Sequence, residues 1–276
     1  MNRTEPEKRA AFFALHESGC FVLPNPWDIG GARMLEGLGF QALATTSAGC
    51  AWSLGRADGQ VSRAMTLAHM RQMVTATELP VNADFESGFG AGPEDVAESV
   101  RMALETGVAG ISIEDSTGDP KHPLRDTAEA VLRIRAARCA IDEADGDTLL
   151  VGRAENFFVG RPDLEDTIVR LKAYADAGAD CLYAPGIRTR EEIRAVVAAV
   201  APKPFNLLIG PAGTLTLQDV AALGVRRISL GGALARAAWG GFLRAARAIA
   251  DHGRFDSFAD APSNAELNAL FRKSQD

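Results

Sequence analysis

Short apolar runs recur along the chain, and polar residues, glycine or proline close each of them before a longer segment with helical spacing begins. Short runs bounded in this way, and rich in β-branched and aromatic residues, are typical of buried strands. Eight strands are predicted, at CFVLP (20–24), ALATTS (42–47), PVNADFE (80–86), GISIED (110–115), TLLVGRAE (148–155), CLYAP (181–185), KPFNLLI (203–209) and RRISLG (226–231).

Amphipathic segments lie between the predicted strands, for example at 94–107, 164–178 and 189–201, and several end in a glycine that can cap a helix. This alternation predicts a parallel sheet, because parallel strands need a crossover connection and a helix supplies it. Eight units favour an α/β fold of the closed (β/α)8 TIM-barrel type over an open doubly wound sheet, since no Gly-x-Gly-x-x-Gly motif follows the first strand. We predict a single barrel domain over residues 1–276.

The C-terminal region, residues 232–276, carries more apolar residues than a solvated appendage needs. A helix is predicted over 232–251, and its alanines and glycines suit close packing within the barrel or between subunits. The tail beyond this helix contains the apolar residues Phe255, Phe258, Leu267, Leu270 and Phe271. We therefore expect the region to dock on other parts of the structure and to take part in oligomer contacts.

Composition and charge narrow the possible partners. The chain has 47% hydrophobic and 24% charged residues, as ordinary globular proteins do, and its net charge of −7 argues against a nucleic-acid partner. We find no apolar run of membrane-spanning length and no signal peptide, so we expect a cytoplasmic protein with no membrane partner. The cysteines fit a reduced compartment because they form no Cys-x-x-Cys pair; they are Cys20, Cys50, Cys139 and Cys181.

Acidic residues stand at the ends of the third and fourth predicted strands. Asp84 and Glu86 are two residues apart and so point the same way, and Glu114 ends the neighbouring strand. Three carboxylates that converge in one pocket repel one another unless a hard cation lies between them. Oxygen ligands favour Mg²⁺, or Mn²⁺, over zinc, so we predict a metal site here. Asp115 is equally compatible with this site and with capping the next helix.

Polar residues also follow other strands. The second strand runs into Ser47, Ala48 and Gly49, whose small side chains and backbone N–H groups can receive a carboxylate, although an ordinary turn also fits them. Arg153 ends the fifth strand, and an arginine in a barrel mouth needs anions, which favours a role in the site over a purely structural salt bridge. Asn206 in the seventh strand either binds substrate or satisfies a buried backbone group.

Four segments, in this order and spacing, resemble the isocitrate lyase and phosphoenolpyruvate mutase superfamily, and the match covers most of the chain. Residues 24–49 resemble its first two strands, with Trp-Asp after the first strand and a Ser-Ala-Gly loop after the second. Residues 55–59 (GRADG) place Asp58 at the family's active-site aspartate. Residues 84–90 (DFESGFG) resemble its metal segment, and ISIED (111–115) supplies the acidic end of strand four.

The resemblance implies metal-assisted chemistry on a small carboxylic acid. Asp84 would coordinate Mg²⁺ with help, often through water, from Glu86 and Glu114. Arg153 would stabilise the developing oxyanion, and Asp58 would lie beside the reacting bond. A metal chelated by the carboxylate and 2-oxo oxygens lowers the energy of the enolate through which C–C or P–C cleavage passes.

The resemblance also implies where the substrate and a second subunit bind. Ser47, Ala48 and Gly49 would hold the substrate carboxylate. From its large apolar side chain alone, we expect Trp27 to be a wall or packing residue and not a chemical participant. Family members commonly exchange their last barrel helix between subunits, so the 232–276 region indicates a homodimer or homotetramer with a swapped C-terminal helix.

The loop after strand four departs from the family pattern. Family lyases carry Pro-Lys-Arg-Cys-Gly-His there, with the cysteine as acid or base, whereas this chain has Lys121, His122 and, at the cysteine position, Pro123. Lys121 and His122 are the catalytic candidates that remain on this loop, although an exposed histidine without a catalytic role fits His122 as well. The phosphonate-handling branch has Lys-x-x-Pro-Lys after its Glu-Asp, and this chain lacks the first of those lysines.

Together these features predict a Mg²⁺-dependent C–C lyase or decarboxylase that acts on a small 2-oxo or 2-hydroxy di- or tricarboxylic acid through a metal-stabilised enolate. Oxaloacetate decarboxylation is the least demanding chemistry. Cleavage of a longer or substituted 2-hydroxy acid to a 2-oxo acid, similar to the isocitrate and methylisocitrate lyase reactions, is the close alternative. A 2-oxo acid binding protein with little turnover and a phosphonopyruvate-type P–C enzyme are the other hypotheses.

Overall fold

The computed structural model describes residues 3–144 and 146–273. Each of the eight predicted strands is present within its predicted run. The strands are β1 (Phe21–Leu23), β2 (Leu43–Ala44), β3 (Val81–Asp84), β4 (Gly110–Glu114), β5 (Leu149–Arg153), β6 (Cys181–Tyr183), β7 (Phe205–Leu208) and β8 (Arg227–Ser229).

Helices connect the strands in strict alternation along most of the chain. The three helices predicted at 94–107, 164–178 and 189–201 are confirmed as α5 (Pro93–Leu104), α7 (Leu164–Asp176) and α8 (Arg190–Val200), with ends shifted by up to three residues. The helices are α1 (Glu5–Glu17), α2 (Ile29–Gly37), α3 (Ser47–Ser53), α4 (Arg63–Thr75), α5 (Pro93–Leu104), α6 (Thr127–Glu143), α7 (Leu164–Asp176), α8 (Arg190–Val200), α9 (Leu217–Ala222), α10 (Ala233–His252) and α11 (Asn264–Lys273).

The strands form one parallel sheet in the order β1-β8-β7-β6-β5-β4-β3-β2. The two end strands also approach each other, since Ala44 N–H donates to the carbonyl of Pro24 at 3.0 Å. The sheet is therefore a nearly closed barrel, which confirms the predicted (β/α)8 TIM-type fold. Its closure brings the C-terminal ends of all strands, and the polar residues there, to one mouth.

Two apolar layers hold the barrel together. The outer layer packs strand residues such as Ile111 and Leu182 against the surrounding helices. The inner layer fills the bottom of the barrel, where Phe12 of α1 packs on Leu23 and Val151. Above it the inward-facing side chains become small or polar, which leaves the mouth open for a ligand.

The C-terminal region is largely exposed. In α10, which confirms the helix predicted at 232–251, only Ala235 is buried, and Trp239 packs edge-on against Phe242, which is itself 61% exposed. The tail returns to the barrel, because α11 lies against α2 and the Phe271 ring approaches Gly30. Exchange of a helix between subunits stays a prediction. No helix among the described residues has the length and apolar character to cross a bilayer.

Candidate active site

A pocket of about 400 Å³ opens at the C-terminal ends of the strands. Of the residues predicted from the sequence, those that line it are Ser47, Ala48, Asp58, Asp84 and Arg153. The structure therefore brings together residues from three separate βα units at the end of the barrel where TIM-barrel enzymes have their active sites.

Asp84, the last residue of β3, is held by the neighbouring β2 turn. Its backbone N–H donates to Thr45 Oγ1 at 2.8 Å, and its Oδ2 accepts from Ser47 N–H at 2.9 Å. Thr46 caps α3, accepting from Gly49 N–H at 3.3 Å. The predicted loop for a substrate carboxylate is thus the first turn of a short helix, in which the amides of Ser47 and Gly49 already have partners.

Arg153 is the cationic centre of the site. Its Nη1 lies 3.2 Å from Asp84 Oδ1 and 3.2 Å from Glu114 Oε2, and its Nε donates to Glu155. The guanidinium also stacks over the ring of Tyr183, 5.1 Å from its centroid. Burial alone would lower the pKa of Arg153, but Glu155 and Glu114 outweigh it and keep the pKa well above its usual range. The side chain stays charged.

The acids around Arg153 outnumber it and destabilise one another's charges. Burial, followed by the charges of Asp84 and Asp58, raises the pKa of Glu86 to about 7. Burial and then Asp84 raise the pKa of Asp58. Burial also raises the pKa of Glu114 well above its usual range, although Arg153 opposes it. An added divalent cation would relieve this repulsion, so the donor set has the chemistry of a Mg²⁺ site.

The three predicted metal residues do not converge as a ready-made direct chelate. Across residues 3–144 and 146–273, no three Asp, Glu, His or Cys side chains stand close enough to hold one ion. Glu86 faces a separate cavity of about 10 Å³ behind Asp84, and Glu114 is engaged by Arg153. The residues fit an ion held directly by Asp84, with the other acids acting through water, as Mg²⁺ commonly is.

Asp115 is part of the scaffold. It is 1% exposed, and its Oδ2 accepts from Tyr174 Oη at 2.6 Å and from Arg170 at 3.1 Å. Its Oδ1 accepts from Glu155 N–H at 2.8 Å. Because it follows Glu114 by one residue, it points to the opposite face of the sheet. The carboxylate therefore anchors α7 to the barrel.

Three predicted substrate residues lie behind the lining of the pocket. A Cβ added to Gly49 would stand 2.7 Å from Thr46 Cγ2 and 2.8 Å from Trp27 Cβ. Trp27 therefore packs directly against the α3 turn. Asn206 is fully buried; its Oδ1 accepts from Arg227 Nε at 2.8 Å and its Nδ2 donates to Ser229 Oγ at 2.9 Å. Both the oxygen and the nitrogen of the Asn206 side chain therefore already have hydrogen-bond partners within the protein.

Lys121 and His122 lie on a loop that closes on itself. Ser116 and Leu124 form an isolated antiparallel bridge at its base. The His122 side chain is 84% exposed and lies 3.4 Å from Asp119. Within the described part of the chain, the pocket lining includes neither Lys121 nor His122. Their catalytic role stays a prediction that would require this loop to move.

The far wall of the pocket contains residues that sequence reasoning missed, among them Tyr183, Ser229, Arg227, Arg188 and Arg236. Tyr183 ends β6 as Arg153 ends β5, and the two are direct partners in the strand register. The polar end of the CLYAP run was the signal that could have identified Tyr183.

The chain matches known proteins over nearly its whole length. The family model for phosphoenolpyruvate phosphomutase matches residues 12–250. An oxaloacetate decarboxylase of Bradyrhizobium sp. is 31% identical over 216 residues, which are 76% of this chain and 72% of that protein.

Solved structures give the same result. A Burkholderia cenocepacia protein described as a lyase/mutase has a TM-score of 0.94 and 48% identity, covering 97% of both chains. A 2,3-dimethylmalate lyase, described as a PEP mutase/isocitrate lyase superfamily member, has a TM-score of 0.85 and 27% identity, covering 99% of this chain and 96% of that one. A phosphonopyruvate hydrolase in complex with oxalate and Mg²⁺ has a TM-score of 0.85 and 27% identity, covering 97% of this chain and 96% of that one. As the motifs predicted, the chain belongs to the phosphoenolpyruvate mutase family and is an enzyme of the PEP mutase/isocitrate lyase superfamily.

Proposed function

We propose that this enzyme is a Mg²⁺-dependent C–C lyase or decarboxylase that acts on a small 2-oxo or 2-hydroxy di- or tricarboxylic acid. The observation that carries the proposal is the position of Asp84 at the pocket mouth, between the Ser47 amide and the Arg153 guanidinium. With Mg²⁺ bound at Asp84, two positive charges would lie side by side, the combination that a developing enolate needs.

The roles follow from the charges and positions of the side chains. Asp84 would hold Mg²⁺ directly, and Glu86 and Glu114 would contribute through water. When bound, the ion supplies Lewis-acid stabilisation of the enolate oxygen. The Ala48 amide and the Ser47 hydroxyl orient the substrate carboxylate, Arg153 stabilises the oxyanion, and Asp58 lies at the rim beside the reacting bond.

Decarboxylation of oxaloacetate is the reaction that this chain supports best. Pro123 replaces the cysteine that family lyases use as acid or base, and the neighbouring His122 is exposed on its loop. Decarboxylation forms the enolate by loss of carbon dioxide and so needs no acid or base on that loop. The similarity to an oxaloacetate decarboxylase supports the same choice.

Calorimetric titration with oxaloacetate, 2-oxoglutarate, pyruvate and glyoxylate, with and without Mg²⁺, tests the proposal when products are assayed in the same samples. We expect Mg²⁺-dependent binding of oxaloacetate and turnover above the rate with Mg²⁺ alone. Absence of binding by all four acids would refute both the site and the reaction.

A 2-oxo acid binding protein is the second candidate, and the self-closed loop with Pro123 is the observation that favours it. Tight Mg²⁺-dependent binding without turnover of any 2-oxo or 2-hydroxy acid would identify it. In that case the assignments of Asp84 and Arg153 would stand, and the assignment of the reaction would not.

A further inference from the structure

A row of inward-facing residues runs across four adjacent strands behind the metal-site acids. In the strand register Arg153 pairs with Tyr183, Tyr183 with Asn206, and Asn206 with Arg227. Paired residues of parallel strands point to the same side of the sheet, so all four side chains face the barrel interior. The row begins at the cationic centre of the site and ends at a second buried arginine.

Arg227 is a buried cation without a carboxylate partner in the described part of the chain. It is 2% exposed, and its hydrogen bonds go to amide oxygens, at 2.8 Å to Asn206 and at 3.3 Å to Asn82. Burying a cation in this way is costly, and the Mg²⁺-site chemistry gives no reason for it. Its positive charge would stabilise a transient anion nearby.

Tyr183 is the group in the row that can carry such an anion. Its ring lies under the Arg153 guanidinium, it is 7% exposed, and it lines the pocket. Burial raises the pKa of Tyr183 to about 12, whereas Arg153 and the nearby Ser229 hydroxyl act in the opposite direction. The phenol is therefore protonated at neutral pH.

Asn206 connects the two ends of the row. It accepts a hydrogen bond from Arg227 and donates one to Ser229 at 2.9 Å, which fixes the Ser229 hydroxyl beside Tyr183. Arg227, Asn206 and Ser229 are thus positioning residues for the phenol. The exposed His122 has no comparable support in this conformation.

We propose that Tyr183 is the catalytic acid that protonates C3 of the enolate, in place of the acid that other lyases carry on the β4 loop. This inference rests on the proposed function and names the proton donor of the same site. In oxaloacetate the C3–C4 bond breaks, carbon dioxide leaves, and the electron pair becomes the enolate of pyruvate. The Tyr183 O–H bond then breaks as the C3–H bond forms, and the phenolate regains a proton from solvent.

Tyr183→Phe tests the proposal because it removes the proton and keeps the ring under Arg153. We expect the wild type to release carbon dioxide and pyruvate together. The variant should release carbon dioxide ahead of pyruvate, with enolpyruvate visible as a transient in the ultraviolet. Tyr174→Phe is the matched control, since Tyr174 hydrogen-bonds Asp115 on the outer face of the barrel. Simultaneous release of both products by Tyr183→Phe at the wild-type rate would overturn the proposal.

Oxalate binding tests the same contact without turnover, because oxalate has an oxygen where the enolate of pyruvate has C3. With Mg²⁺ present, Tyr183→Phe should weaken oxalate binding by about tenfold or more, through loss of a hydrogen bond to a charged acceptor. Tyr174→Phe should bind oxalate as the wild type does. If Tyr183→Phe bound oxalate as tightly as the wild type, the proposed hydrogen bond between the Tyr183 hydroxyl and the ligand would be refuted. Failure of the wild type to decarboxylate oxaloacetate would instead refute oxaloacetate decarboxylation as the reaction and leave this binding comparison decisive for Tyr183.

Discussion

Arg153 Nη1 lies 3.2 Å from Asp84 Oδ1, although the two residues belong to strands that are not adjacent in the barrel. Glu114, on the strand between them, contacts the same nitrogen at 3.2 Å. The guanidinium therefore offsets part of the negative charge of these acids before any ion binds, and Mg²⁺ and Arg153 would share Asp84. The chain can therefore fold with these carboxylates buried before the metal binds.

Asp84→Asn tests whether this residue binds the ion directly. We expect Mg²⁺ affinity to fall by at least about 100-fold, because even outer-shell partners of a metal contribute 10- to 100-fold. The variant should still fold, since Arg153 keeps its contacts with Glu114 and Glu155. Magnesium titration calorimetry measures the change, with Asp119→Asn on the exposed loop as the control. Equal Mg²⁺ affinity in wild type and Asp84→Asn would exclude direct coordination.

Gly49→Ala tests the tight packing of the α3 turn. The added Cβ would lie 2.7 Å from Thr46 Cγ2 and 2.8 Å from Trp27 Cβ, so the turn that holds Asp84 must shift. We expect a free energy of unfolding lower by about 1–3 kcal/mol and weaker Mg²⁺-oxalate binding. Urea unfolding and calorimetry measure the two effects.

Gly37→Ala in α2 is the matched control for this substitution. No atom lies within 4 Å of the Cβ that it would add. We expect its free energy of unfolding to be unchanged or raised by up to about 1 kcal/mol, because alanine is the better helix former. Equal effects of the two substitutions would show that packing around Gly49 does not matter.

His16 should make the stability of the barrel depend on pH. Its Nδ1 donates to the Phe12 carbonyl at 2.8 Å, and its Nε2 is buried without a hydrogen-bond partner among the described residues. Burial, and then the charge of Arg227, lowers the pKa of His16 to about 3. The unfolded chain, with a pKa near 6.5, binds the proton more readily, so protonation favours unfolding.

The stabilisation by neutral His16 is thus complete above about pH 6.5 and is lost as the pH falls toward 3, by up to about 1.4 kcal/mol per unit. Urea unfolding at pH 7.5 and 5.0 measures the loss. His16→Leu should reduce the difference between the two pH values, and His122→Gln, on the exposed loop, should leave it unchanged. The same pH dependence in His16→Leu as in the wild type would assign the effect to other groups.

The exposed apolar side chains of α10 and the tail predict a homodimer or homotetramer. Phe242, Phe255 and Phe258 are 61%, 64% and 53% exposed, and Phe242 packs against the partly exposed Trp239. Large apolar side chains exposed in such number usually mark an interface. Light scattering coupled to size exclusion should give a mass above that of one chain, and Phe242→Glu should shift it toward the monomer. Lys172→Glu, at an exposed position of α7, is a charge-changing control. A monomeric wild type would refute the expectation.

The sequence by itself determined the fold and one side of the site. Strand and helix periodicities are local, and strands of a barrel end at one mouth, so Asp84 and Arg153 could be placed there from their positions in the runs. Asp115 was left open between the site and a helix cap, and only its contacts with Arg170 and Tyr174 of α7 show that it belongs to the scaffold.

Only the tertiary structure decided which residues meet across strands. The stagger between β5, β6, β7 and β8 aligns Arg153, Tyr183, Asn206 and Arg227, and no spacing along one strand encodes that alignment. The same stagger puts Asn206 behind the pocket and Tyr183 on its wall. Strand register is set by how the helices and the barrel interior pack, and this packing depends on residues distant in sequence.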